Sequence, residues 1–430
     1  MARQKQRRRP AKKQPPVTLA EARIENIGAR GDGVAIVDEK PVYAPLTAPG
    51  DEVRLSCRGD RGVLEEILKP SPHRAAPPCR YFGNCGGCAL QHVTDDFYRD
   101  WKRQLVIDAL SREGFDENIV APMVFCPPAS RRRARFAVRR TSAGIVFGFN
   151  ARASLTVIDV DDCAVLAPDL NALLPRFRAL AAATPHQWRR FDMAVTLCDN
   201  GVDIEFVGDD AADDLTGAER LSLTDMAREA GVIRLCVDGA PVVSFDTPIV
   251  AFGGIAVAPP PGGFLQASQA GEDALVRFVT SHVKSAAKIA DLFSGCGTFT
   301  FPMSAHSAVH AVDGAGEAIS ALEIAARNPA LRHPVTAARR NLFDRPLTVE
   351  ELASFDAVVF DPPRAGARAQ ATELAQSNVP TIVGVSCNPA SFARDASILR
   401  AGGYVLSQVL PVDQFVYAPH VEIAGVFQKE

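Results

Sequence analysis

The stretch DLFSGCGTFT, Asp291–Thr300, decides the fold, because it joins a buried strand (KIADLF) to a helical run (FTFPMSAHS) through two glycines. Gly295 and Gly297 permit a tight turn and let a ligand approach the backbone closely. Alone, a G-x-G is weak evidence, since many strand–helix joints use glycine only for packing. The stretch has neither the G-x-G-x-x-G of dinucleotide sites nor a Walker lysine. Asp313 ends the next strand about twenty residues on, where a carboxylate accepts hydrogen bonds from ribose hydroxyls.

From Gln266 onward, helices and apolar strands alternate. GEDALVRFVTSHV reads as a helix, HAVDG as a strand, EAISALEIAARN as a helix, DAVVFDPP and TIVGVSC as strands, and the end as a strand pair. Such alternation predicts a doubly wound α/β sheet with its ligand at the carboxyl ends of the strands. The acid of strand one, the glycine loop, Asp313 and FDPPR (Phe360–Arg364) together resemble a class I S-adenosylmethionine-dependent methyltransferase. Pro362 and Pro363 stiffen the chain and hold Asp361 and Arg364 at the crevice mouth.

VGVSCNPASFARD, Val383–Asp395, puts a lone thiol, Cys387, at the end of a strand on the same rim. The Asn-Pro step is expected to delay the next helix to about Ser391, whose dipole would favour the thiolate. A strand-end cysteine is more often inert packing, but the rim reverses that prior. Glu422 alternates with apolar neighbours in HVEIAGVF, with His420 beside it and Asp413 upstream, so a second reactive group is plausible there.

The remainder bounds the class. The chain has 430 residues, 47% hydrophobic and 23% charged, with net charge −3. Residues 1–16 carry basic residues and no acid, the pattern of a phosphate-seeking tail or of a plain solvated one. Residues 17–72 show five short strands between Gly, Asp and Pro turns, which suggests a small barrel of the OB type. Residues 73–265 form a strand-rich central region, and 266–430 the α/β domain. No run of about 18 apolar residues suggests a membrane span, and no secretory signal is evident.

Ten cysteines are too few for a disulfide scaffold, and three crowd between Cys79 and Cys88, which favours a metal or cluster in a reducing cytoplasm. Cys79-x5-Cys85-x2-Cys88 with Cys163 as a distant fourth suits a tetrahedral zinc or a [4Fe–4S] cube, the cube modestly preferred. Cys57, Cys126, Cys198, Cys236 and Cys296 read as packing.

A thiol, a carboxylate and a methyl donor suffice for one reaction. A thiolate adding to carbon 6 of uracil makes carbon 5 nucleophilic; a base then removes the carbon 5 proton so that the cysteine leaves. FLQASQ, DLFSGCGTFTFP, FDPPRAG, VSCNPASFARD and HVE occur here in the order and spacing of the RNA 5-methyluridine methyltransferase family, which the chain resembles over nearly its whole length after the tail. The resemblance implies a TRAM barrel, a central iron–sulfur α+β domain and a catalytic domain. It implies Cys387 as nucleophile and Glu422 as general base, with Gln266, Phe293, Thr298, Asp313, Asn341 and Asp361 at cofactor-contacting positions. It strengthens a [4Fe–4S] cluster on Cys79, Cys85, Cys88 and Cys163, structural rather than redox-active, and points to the 23S ribosomal RNA branch. Three departures touch the target loop: DQFVYAPHVE carries Val416, Ala418 and Pro419 where the family commonly has Pro, Thr and another residue. The family's usual Glu after the second strand is Asp313 here.

The implied partner is a single-stranded RNA loop whose uridine flips into the site. RRRARFAVRR, residues 131–140, is rich in arginine, free of acid, and a candidate phosphate-contacting strand. A monomer is expected. Transfer-RNA uracil or RNA cytosine methylation, and a non-catalytic ribosome-assembly factor, stand as the competing readings.

Overall fold

A computed structural model describes residues 16–208 and 215–429; all of the basic tail but Pro16 lies outside them. Over these residues the chain divides into two compact units. The first runs to Pro77 and includes Ala89–Tyr98; the second comprises Pro78–Cys88 and the chain from Arg99 on.

The first unit is built on five strands: β1 (Thr18–Ile27), β2 (Gly33–Val37), β3 (Lys40–Ala44), β4 (Glu52–Arg58) and β5 (Arg61–Lys69). They close into a barrel in the order β1-β2-β3-β5-β4, β1 completing it by pairing antiparallel with β4 from Thr18↔Cys57 to Arg23↔Glu52. The small interior is filled by Ile24, Ala35, Val42, Val53 and Leu55, which alternate with exposed residues as a half-buried strand requires. Asp38 and Glu39, both at positive φ, make the two-residue turn between β2 and β3, so the loop twists with its strands. The barrel expected from the sequence is present, each of its strands longer than or equal to its apolar run.

In the second unit, β6 (Val124–Phe125) is followed by β7 (Arg133–Thr141), β8 (Gly144–Asn150), β9 (Val157–Asp159), β10 (Arg190–Cys198), β11 (Gly201–Val207), β12 (Val232–Val237) and β13 (Ala240–Ser244). The last seven form one sheet, β13-β12-β11-β10-β7-β8-β9, antiparallel except at β11–β12. Phe136, Phe147, Phe177, Phe191, Phe206 and Trp188 pack its buried face. A short hairpin, β14 (Val250–Phe252) with β15 (Ile255–Val257), leads on.

The third sheet sets the site. It comprises β16 (Lys288–Leu292), β17 (Ala308–Asp313), β18 (Val335–Arg339), β19 (Ala357–Phe360), β20 (Thr381–Ser386), β21 (Tyr404–Asp413) and β22 (Glu422–Lys429), with β6 on its edge. The order is β18-β17-β16-β19-β20-β22-β21-β6, parallel from β18 through β20 and antiparallel across β20–β22–β21. The strands read as near-continuous apolar runs because helices cover both faces. Strand order reverses between β16 and β19, and a crevice opens there beyond their carboxyl ends. No helix among the described residues is long and apolar enough to cross a membrane.

One helix start differs from the sequence expectation. The helix after β20 begins at Pro389, not near Ser391, because proline lacks the N–H that a first helical residue leaves unpaired anyway. Asn388 caps it, its side chain accepting from the Ala390 N–H.

Candidate active site

A cavity of about 720 Å³ occupies the crevice, and Gln266, Phe293, Thr298, Asp313, Asn341, Asp361, Cys387 and Glu422 all line it. Eight residues spread over more than 150 positions thus reach one space. The strand order explains why: β16, β17, β19 and β20 end on one rim, and antiparallel β22 begins there.

The glycine loop carries the backbone strain typical of a ligand-facing turn. Phe293 sits at φ 59, Gly295 at 55 and Gly297 at 101. A left-handed phenylalanine is costly and persists only where its surroundings enforce it. A Cβ on Gly297 would lie 2.5 Å from the Phe301 ring, so glycine is required there. Asp313 ties this loop to the next: its carboxylate accepts from Gly295 N at 2.9 Å and from Ala315 N at 2.7 Å. The Phe293 and Phe343 rings lie 5.4 Å apart, and Asn341 Oδ1 accepts from the Phe343 N–H at 3.1 Å.

Deeper, the cavity turns acidic. Burial pushes Asp361 up to about 7; the Asp313 charge adds to this, against a hydrogen bond donated by Gln266 at 3.3 Å. Glu422 is buried and held well above the usual carboxylate range by burial and by Asp361. Cys387 is pushed up to about 11 by burial, then by Glu422 and Asp361, with Arg364 opposing. The favour that the helix N-terminus lends a thiolate is opposed here by burial beside carboxylates. Asn388 Nδ2 and Ser391 Oγ both donate to the Arg364 carbonyl, at 3.0 and 3.2 Å, which joins the FDPPR turn to the cysteine loop.

Two neighbours suggested by sequence take other roles. Asp413 is buried and paired with Lys102 at 2.7 Å. Lys102 also donates to the carbonyls of Phe415 and His420, at 3.3 and 2.5 Å. Burial, with Arg364, Lys102 and Arg131, pushes His420 down to about 4, so it is neutral.

Sequence reasoning missed Gln414 and Lys102. Gln414 Nε2 donates to both Gln266 Oε1 (2.6 Å) and Glu422 Oε2 (2.8 Å). Its only sequence signal is a polar residue beside the apolar end of β21. Lys102, in the helix Asp95–Arg112, has none, since its partner is 311 positions away.

The arginines of RRRARFAVRR divide between internal partners and a small pocket. Arg132 turns inward to Glu272 and to the Gln266 carbonyl, Arg135 pairs with Asp192, and Arg140 bonds Thr184. Arg131, Arg133 and Arg135 line a pocket of about 240 Å³ that shares Phe264 and Phe415 with the large cavity.

Cys79, Cys85, Cys88 and Cys163 are half-buried and free of disulfides. Cys85 is held by a bridge to Ala151 and by the Gly86 N–H to Asn150 O at 3.0 Å. Cys163 Sγ accepts from the backbone at Val165 and Leu166, and Cys79 and Cys85 act on it electrostatically. Among the described residues, no group of three or more His, Cys, Asp or Glu is gathered closely enough to hold a metal ion. The five cysteines expected as packing are all buried.

Residues 335–430 match the family model for tRNA (uracil-5-)-methyltransferase. The chain is 42% identical over 413 residues to an uncharacterised RNA methyltransferase of Rhizobium meliloti (strain 1021), covering 94% of this chain and 98% of that one. It is 32% identical over 422 residues to the 23S rRNA (uracil(1939)-C(5))-methyltransferase of Chromohalobacter salexigens, covering 93% and 87%. Among solved structures, the Pyrococcus abyssi tRNA (uracil-54, C5)-methyltransferase in complex with S-adenosyl-L-homocysteine shares the fold, with TM-score 0.72 at 23% identity, covering 95% of this chain and 100% of that one.

Proposed function

Because the chain belongs to the RNA (uracil-C5) methyltransferase family and is an S-adenosylmethionine-dependent enzyme, we propose that it methylates carbon 5 of one uridine in 23S ribosomal RNA through a covalent adduct on Cys387. The observation that carries this reading is that Cys387 and Glu422 share one cavity with the residues suited to the cofactor.

S-adenosylmethionine, when bound, supplies an electrophilic methyl group on a sulfonium. The fit is good: the cavity is large enough, Gly295 has open space where a Cβ would stand, and Asp313 offers a carboxylate to ribose hydroxyls. Phe293, Thr298, Asn341, Gln266 and Asp361 complete the set that would hold it. Cys387, its thiol proton released to water, then adds through sulfur to carbon 6 of the flipped uracil, breaking the 5,6 double bond and making carbon 5 nucleophilic. Once carbon 5 carries its methyl, Glu422 takes the carbon 5 proton. The electron pair left behind restores the double bond and expels the Cys387 thiolate. A carboxylate whose affinity for protons is raised by burial is suited to this task.

The 32% identical 23S rRNA enzyme supports ribosomal RNA as the target. The test is to map 5-methyluridine in 23S and transfer RNA with and without the protein. Gain in 23S RNA alone is expected, and gain in transfer RNA alone overturns the target. Cys387→Ala is expected to abolish methylation and Glu422→Gln to accumulate a protein–RNA adduct; full turnover by Cys387→Ala refutes the mechanism.

The proposal includes a [4Fe–4S] cluster on Cys79, Cys85, Cys88 and Cys163 in a reducing cytoplasm. Four cysteine sulfurs are a soft donor set, and backbone N–H groups directed at Cys85 and Cys163 sulfur suit thiolate ligands. The cluster's part is structural, tying the segment around Cys79 to the loop at Cys163. Visible absorption of anaerobically purified protein, lost in Cys85→Ser, is the expected result.

A further inference from the structure

We infer that Gln414 is a positioning residue for the proton-removal step: its side-chain amide, locked by a backbone N–H, aims one donor at Glu422 and so fixes the carboxylate that receives the carbon 5 proton. The inference rests on the reading of Cys387 and Glu422 given above.

The argument is one of donor and acceptor accounting. Gln414 is 3% exposed, and its Oε1 accepts from the Ala267 N–H at 2.9 Å. That bond decides which way the amide faces. Turned over, it would set an NH2 against an N–H at Ala267 and an oxygen against the Glu422 carboxylate, losing both contacts. With the oxygen so placed, the two N–H groups have their partners: Gln266 Oε1 at 2.6 Å and Glu422 Oε2 at 2.8 Å. Gln266 is orientated in turn, its own nitrogen reaching Asp361 Oδ2 at 3.3 Å. One backbone N–H thereby sets two amides and directs a donor at each of two carboxylates.

Packing enforces the arrangement. Gly271 is glycine because a Cβ there would stand 2.7 Å from Gln414 Cβ, so the helix Gln269–Val283 presses directly on this side chain. With Oε2 engaged, Oε1 of Glu422 is the oxygen left for the ring proton.

The charged and titratable groups around Glu422 come from several elements. Asp361 and Arg364 follow β19, and Cys387 follows β20. His420, neutral, precedes β22, and the Arg132–Glu272 pair stands behind Gln266. Substituting Gln414 leaves all of these in place and removes a donor that favours ionised Glu422.

The test uses the full-length enzyme and uridine-containing RNA tritiated at carbon 5. In single turnovers, Gln414→Met is expected to slow tritium release relative to methyl incorporation by roughly 10- to 100-fold, the scale of one hydrogen bond to a charged group. Covalent protein–RNA adduct accumulates, and the acid limb of the release rate moves to higher pH. Circular dichroism and melting temperature serve as folding controls. If Gln414→Met folds poorly, Gln414→Glu, of equal length, is read for the same upward shift. A folded variant with an unchanged ratio and pH profile overturns the inference. RNA carrying 5-fluorouridine, which has no carbon 5 proton to lose, separates this from failure of the parent reading. Absence of a trapped adduct with the wild-type enzyme refutes the Cys387 mechanism. A wild-type adduct together with unaltered proton release in the variant refutes only the role of Gln414.

Discussion

Removing the Lys102 ammonium should destabilise the second unit and loosen the loop that carries Gln414 and Phe415. Lys102 and Asp413 have side-chain exposures of 0% and 1%, so neither charge is shared with bulk water. Taking away one partner of a buried pair costs about 3–5 kcal/mol, mostly because the other charge stays buried without its cation. Lys102→Met keeps the apolar stem, so the loss is electrostatic rather than a cavity. Trp101, adjacent and buried, reports on this helix once Trp188 is replaced by Phe. Urea unfolding followed by Trp101 fluorescence should show a midpoint lowered by about 1 M or more, for a slope of roughly 3 kcal/mol/M. The double variant Lys102→Met/Asp413→Leu should recover much of the loss, since an apolar pair often replaces an ionic one at little cost. It should not recover all of it, because the Phe415 and His420 carbonyls lose their shared donor. A residual deficit of about 1–3 kcal/mol is expected. Additivity of the two single effects within ~0.5 kcal/mol would refute the coupling.

Two further outcomes are expected. Asp313→Ala should weaken S-adenosylhomocysteine binding by calorimetry by roughly 100-fold, since it strips the acceptor of Gly295 and Ala315 as well as the ribose contact proposed for it; a change under twofold would contradict it. Iodoacetamide labelling of Cys387, read by peptide mass, should rise tenfold per pH unit between pH 7 and about 10, because the thiol is pushed up to about 11 and only the thiolate reacts; a plateau near pH 7 would show that the thiol is not held protonated.

The catalytic sheet was legible because parallel strands buried on both faces write themselves as apolar runs, and because glycine, Asp313 and FDPPR fall where such strands end. The barrel was legible for a similar reason, its turns being marked by Gly, Asp and Pro. What stayed hidden was contact between distant positions. Arg132 looks like its neighbours in RRRARFAVRR, yet just before β7 it turns to Glu272, while Arg131, Arg133 and Arg135 line the small pocket. Lys102 is an ordinary helix cation until its partner, 311 residues away, is known. The start of the helix after β20 is ambiguous in the sequence for another reason: an Asn-Pro step breaks a helix, yet Asn388 as cap with Pro389 first is also how one begins.

The sign of the Cys387 shift follows from the same blindness. The cysteine's own neighbourhood in sequence, a helix N-terminus, argues for a thiolate. The carboxylates that reverse this come from β19 and β22, and only the folded sheet brings them near. Asp361 held near 7, Glu422 held well above the usual carboxylate range and Cys387 near 11 all lean the same way, toward the protonated form, because buried acids crowd one cavity. A ligand bringing positive charge would favour the ionised form of each, lowering all three together. A sulfonium has that charge and its demethylated product does not.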